Sequence, residues 1–265
     1  VLIRFNENST PVPYMQRMDF FSHCGIDLEN NSFSLKEVDR FVSFKRIGSG
    51  GSFNSGVIAS EIATCLAPEQ AEIEDNDKTG FFDCIEYCVS ELMLNVIQHS
   101  KGVGFIGAQY YPEKGITQIA ITDSGIGVKN SFIQNNSPHK KDIKSDIDAL
   151  RISIQARVSS KSHLIEPWGG GCENAGIGLT ILRDIAIASG GSYNLVSGSA
   201  ALINDTEHSL EEDDRFDGTY VGFSFKNIKL NQFAEYLERA KVNLGISNES
   251  LDWTEDAHDW LAEYK

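Results

Sequence analysis

The sequence predicts an α/β chain in which helices and strands share one core, and three observations carry that prediction. Between Phe81 and Ser100, apolar side chains recur at Phe82, Ile85, Val89, Leu92 and Val96, the three- and four-residue spacing of an amphipathic helix. Directly after it, "FIGAQYY" and "TQIAITD" flank the turn "PEKG", which reads as a β-hairpin. Further on, "AGIGLTILRDIAIAS" reads as a helix approached through glycines, and the strands "YNLVSG" and "TYVGFSF" follow it.

Taken in chain order, the first forty residues mix "STPVPY" and "ENNSFS" with short apolar pieces and predict turns with one helix and one strand. "RFVSFKRI", Arg40 to Ile47, alternates as a strand does, and "VIASEIATCLA" is helical. The glycines between them, Gly48, Gly50 and Gly51, lack the Lys-Ser/Thr ending of a phosphate-binding P-loop and read as a flexible turn. "KGVG" ends the Phe81–Ser100 helix. After "SGIG" comes a polar stretch of about forty-five residues with one expected helix, "SDIDALRISIQARV"; a connection that long predicts a lid or binding loop. The segment "NDTEHSLEEDDRFDG" is expected to be a solvated acidic loop. The tail predicts two amphipathic helices, with Trp253 and Trp260 as packing anchors that dock on the core or on a second subunit. These readings divide the chain into an N-terminal extension over 1–56, a core domain over 57–227 and a helical tail over 228–265.

With 41% hydrophobic and 23% charged residues among 265, the composition is that of an ordinary soluble globular protein. No apolar run approaches the ~20 residues of a membrane helix. A formal charge of −15 argues against a broad nucleic-acid or anionic-membrane surface, while leaving room for a local basic patch. The five cysteines are scattered and form no C-x-x-C pair, so reduced thiols in a cytoplasm are expected rather than disulfides or a zinc site. The chain opens "VLIRF" without an initiator Met, so Val1 is expected to be a trimmed or internal start.

Three short stretches carry chemistry. On the helix "CVSELMLNVIQHS", Glu91, Asn95 and His99 lie four residues apart along one stripe. A carboxylate beside a carboxamide suits a magnesium nucleotide site, since the amide oxygen is a hard ligand and the carboxylate can orient or deprotonate water. Alone, the stripe reads equally as the solvated side of a half-buried helix. "ITDSGIG" ends an apolar strand in Asp123, an acceptor for an exocyclic amine, and follows it with Gly125 and Gly127, where backbone can approach a ligand. "GGGCENAGIGLTIL" sets Gly176 and Gly178 before a helix whose free N–H groups attract anions, or else simply pack closely.

In this order and spacing, E-x-x-x-N on a helix, D-x-G-x-G after a hairpin, a long loop, G-x-G-L opening a helix, and a final "DGTYVGFSF" strand resemble the GHKL superfamily of ATPase domains over roughly Val57 to Lys226. That superfamily is shared by sensor histidine kinases, anti-sigma-factor serine kinases and DNA gyrase. The resemblance implies the Bergerat ATP-binding fold, an α/β two-layer sandwich of a mixed, largely antiparallel sheet with helices on one face. ATP would lie under a lid over about 128–175. It further implies Mg²⁺ bound by Asn95, Glu91 as the catalytic carboxylate, and Asp123 on the adenine amine with Thr219 assisting. Gly125, Gly127, Asn174, Gly176, Gly178 and Leu179 would form the remaining cofactor contacts; Lys161 reads either as a further phosphate contact or as a solvated lysine of a polar loop. "NVIQHS" carries Gln98 and His99 where histidine kinases tend to carry a basic residue three after the asparagine, and is closer to anti-sigma-type kinases and stand-alone ATP-binding proteins. His23 in "SHCGID" does not match a phosphoacceptor helix. Three functions follow as expectations: a regulatory ATP-binding protein that phosphorylates or switches a protein partner, an autonomous ATP hydrolase, or a nucleotide-sensing module without turnover. No nucleic-acid or membrane partner is expected, and a homodimer is expected only by family analogy.

Overall fold

A computed structural model describes residues 11–26, 41–48, 55–66, 85, 88–100, 102–155, 158 and 178–226, together with 235–236, 238–240 and 242. Its centre is a seven-stranded sheet. The strands are β1 Phe41–Ile47, β2 Gly104–Tyr111, β3 Ile116–Asp123, β4 Ser192–Gly198, β5 Ala200–Ile203, β6 Thr206–Ser209 and β7 Phe216–Lys226, in the order β1-β2-β3-β7-β4-β5-β6.

Period-two patterning decides which side of each strand is buried. Ile106 and Ala108 of β2, Thr117, Ile119 and Ile121 of β3, Tyr193 and Leu195 of β4, and Val221, Phe223 and Phe225 of β7 share one buried face. The β2–β3 hairpin turns through Pro112 to Gly115 and keeps an unbroken register from Gly104↔Asp123 to Tyr111↔Ile116. The β5–β6 hairpin turns on Asn204 and Asp205, both at positive φ (46° and 64°), the conformation of a tight two-residue turn between twisted strands. This hairpin replaces the first part of the expected acidic loop; the remainder, from Leu210, contains a short 3-10 turn at Glu212–Asp214.

Every described strand pairing is antiparallel, where a mixed sheet was expected. The reason lies in β7. The crossover from β3 to β4 leaves those two strands running the same way, but β7 inserts between them and pairs antiparallel with both.

The buried face is covered by α3 (Ser55–Leu66), by α4, which is helical over 88–95 and continues as a π-helical turn at Val96–Ser100, and by α7 (Gly178–Ala188). Ile58 and Ile62 of α3, Val89, Leu92 and Met93 of α4, and Ile181, Leu182 and Ile185 of α7 close one core with the sheet. Fully burying a side chain of this size contributes roughly 1.5–3 kcal/mol, so this cluster dominates the fold. Two shorter helices, α5 (Gly127–Gln134) and α6 (Asp146–Ser153), lie over the β4 and β5 end of the same face, where Leu150 joins the main core and Phe132, Ile143 and Ala149 form a smaller one.

The expectation of helices on one face holds for α3 to α7. Two short N-terminal helices, α1 (Pro11–Arg17) and α2 (Phe20–His23), touch the other face at the β1–β2 end. The ring of His23 meets that of Phe105 edge-on at 5.1 Å, Tyr14 bonds to Tyr111, and the Phe44 N–H donates to the Met18 carbonyl at 3.0 Å. Phe105 and Tyr111 alternate with the buried Ile106 and so point away from the main helical layer. His23 donates from Nε2 to the Phe44 carbonyl at 2.6 Å, a packing role.

The boundary expected at residue 56 falls inside α3, and β1 upstream of it is the edge strand of the sheet. Most of α5 and all of α6 fall within the expected lid, joined through a 3-10 turn at Pro138–Lys141, and both helices pack on the rest of the fold. Asp146 accepts from the Ser199 backbone and hydroxyl, both at 2.9 Å, Arg151 pairs with Glu207, and a capping box of Ser145 and Asp148 fixes the start of α6. The expected helix there ends at Ser153, and α5 was not foreseen. In the tail, residues 235–236 and 238–240 are helical, with Tyr236 packed on the main core and Ala240 buried. Trp253 and Trp260 lie outside the described residues, as do Gly50 and Gly51. Cys24, Cys65 and Cys88 form no disulfide, and no described helix is long and apolar enough to cross a membrane.

Candidate functional site

The carboxyl end of β3, the second half of α4, the start of α7 and the middle of β7 converge on one cavity of about 130 Å³. On the same measure a single water needs only ~10–15 Å³, so the space is of ligand size. Glu91, Asn95, Asp123, Gly127, Leu179 and Thr219 all line it.

Asp123 is the most constrained of these. It closes β3 with 7% of its surface exposed. Its Oδ1 accepts the Gly125 N–H at 2.8 Å, and Thr219, its register partner on β7, bonds to it through hydroxyl and backbone. Burial pushes its pKa up, against the pull of the Gly125 and Thr219 bonds. Around it stand Leu92, Val96, Ile121, Phe132, Leu195 and Val221. An acceptor fixed among apolar walls suits a flat ligand that offers an N–H at its edge.

Gly125 turns the chain away from the strand against the π-helical end of α4, where the Ile126 N–H donates to the Ser100 carbonyl at 2.9 Å. A Cβ on Gly125 would run into that same carbonyl, so the position requires glycine. Ser100 is itself buried, and its hydroxyl accepts the Gly102 N–H at 3.0 Å, which ends the helix. π-Helical turns concentrate at functional sites, and this one shapes the cavity wall.

Glu91 is half-buried on α4, and its Oε2 accepts the Gly178 N–H at 2.5 Å. The two helices touch closely here: a Cβ on Gly178 would lie 2.6 Å from Glu91 Oε2 and 3.2 Å from the Cys88 Cα. A carboxylate on the first turn of α7 also answers the positive end of that helix. We therefore expect Glu91→Ala to lower stability by about 1–3 kcal/mol by stripping the Gly178 N–H of its acceptor, and Glu91→Gln to lower it by no more than about 1 kcal/mol. Urea unfolding midpoints of the two variants check this; equal midpoints would mean that the bond carries no stability.

Asn95, one turn along α4, is exposed at the mouth of the cavity. Among the described residues no group of three His, Cys, Asp or Glu side chains is placed to hold a metal. A magnesium ion that arrived on a ligand's phosphates would need only one or two protein oxygens, and the Asn95 amide oxygen is a hard donor of the kind that could serve. His99 belongs to the π-helical turn, and its side chain lies outside the described residues. Asn174, Gly176 and Lys161 lie outside them too.

One wall was missed from sequence. Val128, Ser131 and Phe132 of α5 face the cavity, and the Val128 N–H donates at 3.0 Å to Ser197, whose hydroxyl donates at 2.8 Å to the Gly218 carbonyl. The i, i+3, i+4 spacing of Val128, Ser131 and Phe132 is a helical signal, diluted by Lys129, Asn130 and the hydroxyl of Ser131 itself.

The fold and cavity together define an α/β sandwich with an antiparallel sheet and a ligand-sized pocket at the end of β3. No family model matches the chain, and neither the curated proteins nor the solved structures give a match.

Proposed function

We propose that this chain is a Mg-ATP-binding regulatory protein with the Bergerat arrangement of the α/β sandwich, one that phosphorylates a protein partner or switches its grip on one. The observation that carries the reading is the convergence of Glu91, Asn95, Asp123, Gly127, Leu179 and Thr219, drawn from four separate parts of the chain, on one cavity. Gly125 and Gly178 support it as hydrogen-bond donors to Asp123 and Glu91.

In this reading Asp123 accepts the exocyclic amine of an adenine lodged among Leu92, Ile121 and Val221, while Thr219 fixes the carboxylate. Asn95 offers its amide oxygen to magnesium, which supplies charge neutralisation on the phosphates. Glu91 orients or deprotonates the attacking group, a partner hydroxyl in a kinase or water in a hydrolase. Asn174 and Gly176, which lie outside the described residues, are the expected phosphate contacts in this reading, and α5 and α6, tied to the sheet through Ser197, Ser199 and Glu207, form a fixed wall of the pocket rather than part of an opening lid. A cytoplasmic compartment and a homodimer belong to the same proposal.

Calorimetric titration of Mg-ATP into the purified chain, with phosphate release followed in parallel, tests the reading. Saturable binding with no release until a partner is added is the expected result. Release by the chain alone that disappears in Glu91→Gln would instead identify an autonomous hydrolase. Absence of any nucleotide binding would remove both.

A further inference from the structure

We propose that the corner between α5 and α6 is a docking surface for an acidic protein segment. Lys129 of α5, Lys140 and Lys141 of a 3-10 turn at Pro138–Lys141, and Lys144 ahead of α6 fall within sixteen residues that contain one carboxylate, Asp142. The whole chain carries 38 Asp and Glu against 23 Lys and Arg, so this concentration of positive charge runs against the composition. Lys140, Lys141 and Lys144 are exposed. The ion pairs among the described residues draw their cations from Lys45, Arg151, Arg183 and Arg215, and none from these four lysines. Asp142 lies among them and Asp148 beside Lys144, yet neither forms an ion pair with these ammoniums, which leaves the lysines to an external anion.

The scaffold beneath the lysines is fixed. Ser137, 1% exposed, caps the 3-10 turn and accepts the His139 N–H at 3.3 Å. The Lys129 ammonium donates to the Lys144 carbonyl at 3.0 Å, which ties α5 to the entrance of α6, and the Lys144 and Ser145 N–H groups donate to Asp148. The ordered frame adds no backbone cost to binding, so the entropy lost is that of the lysine side chains, about 0.5–1.5 kcal/mol for each one immobilised. A long polyanion such as nucleic acid would also meet the surrounding field of a molecule with net charge −15. A short acidic segment feels mainly the lysines within a Debye length of about 10 Å, so a protein partner fits better.

The patch also touches the cavity wall. The His139 ring stands edge-on to Phe132 at 6.5 Å, and Phe132 lines the cavity. A segment seated over the lysines bears on the ring behind that wall, and so couples docking to occupancy of the pocket. The coupling rests on the nucleotide reading; the docking does not.

Fluorescence anisotropy with a labelled octaglutamate peptide tests the docking. Wild type is expected to bind at low salt and to lose most of that affinity at about 0.3 M salt. The quadruple variant Lys129→Ala, Lys140→Ala, Lys141→Ala and Lys144→Ala is expected to bind at least about tenfold more weakly, the matching Lys→Arg quadruple to bind like wild type, and Lys114→Ala with Lys226→Ala to change nothing. No binding by wild type, equal binding by the quadruple alanine variant, or tighter binding of a DNA oligonucleotide of equal charge through the same lysines overturns the proposal. His139→Ala is expected to keep peptide binding while removing the peptide's effect on Mg-ATP affinity. If Mg-ATP fails to bind any variant, the nucleotide reading fails, and the peptide result still decides the docking.

Discussion

Asp123→Asn is expected to weaken Mg-ATP binding by about 30- to 1,000-fold, or roughly 2–4 kcal/mol, while lowering the stability of the folded chain by no more than about 1 kcal/mol. Stability falls less than binding because the bonds lost from Thr219 are offset by relief of a buried charge. The carboxylate is buried, and its burial raises its pKa, so the folded state prefers the protonated form more than the unfolded chain does. A carboxyl whose folded pKa is raised contributes stability that is fully present below the unfolded pKa of about 3.9 and is lost as pH rises through the folded pKa. At neutral pH the ionised Asp123 is therefore a liability to folding that asparagine does not carry. Asparagine still offers Oδ1 to the Gly125 N–H, but its amide nitrogen cannot accept a ligand amine. Mg-ATP affinity of the wild type should correspondingly fall as pH is lowered through the raised pKa, and in Asp123→Asn this pH dependence should vanish. Titration calorimetry across pH, paired with urea unfolding, measures both. Wild-type affinity in the variant would take Asp123 out of the site.

Gly125→Ala is expected to destabilise the fold by about 2–4 kcal/mol and to abolish measurable nucleotide binding at the same time. The methyl group would meet the Ser100 carbonyl, which belongs to backbone and already accepts the Ile126 N–H, so no side-chain rotation relieves the clash. Either the β3–α5 turn or the π-helical end of α4 must move, and each forms part of the cavity wall. Where Asp123→Asn loses chiefly binding, this variant loses stability and binding together. A thermal midpoint within a degree or so of wild type would show that the turn yields more easily than its packing suggests.

The legible part of the molecule is the part where side-chain periodicity and burial coincide. Ile119, Ile121 and Asp123 alternate cleanly, so β3, its hairpin with β2 and the placement of Asp123 at its end could be read from residues. Glu91 and Asn95 were legible as a pair on α4 for the same reason. β6 was not, because Thr206 to Ser209 are all exposed on an edge strand, and its turn is made by Asn-Asp without glycine. α5 was hidden by the weak helix formers Asn130 and Ser131 and by its entry straight from Gly127. The π-helical turn at Val96–Ser100 has no signature in a pattern of three and four, yet it positions the Ser100 carbonyl against Gly125. The antiparallel character of the sheet depended on where β7 inserts, a long-range choice that no local window contains.

That insertion has a consequence for how the molecule comes into being. Among the described residues, strands β1 to β3 and strands β4 to β6 are two separate ribbons whose ladders meet only through β7, the last of these strands to leave the ribosome. Thr219 and Val221 lie on it, so the Asp123 carboxylate lacks its cross-strand partner, and the pocket lacks part of its floor, until residue 226 has been made. A nascent chain stopped short of β7 holds nearly all the recognisable motifs and no finished pocket, so the cavity is among the last features of the described fold to be completed.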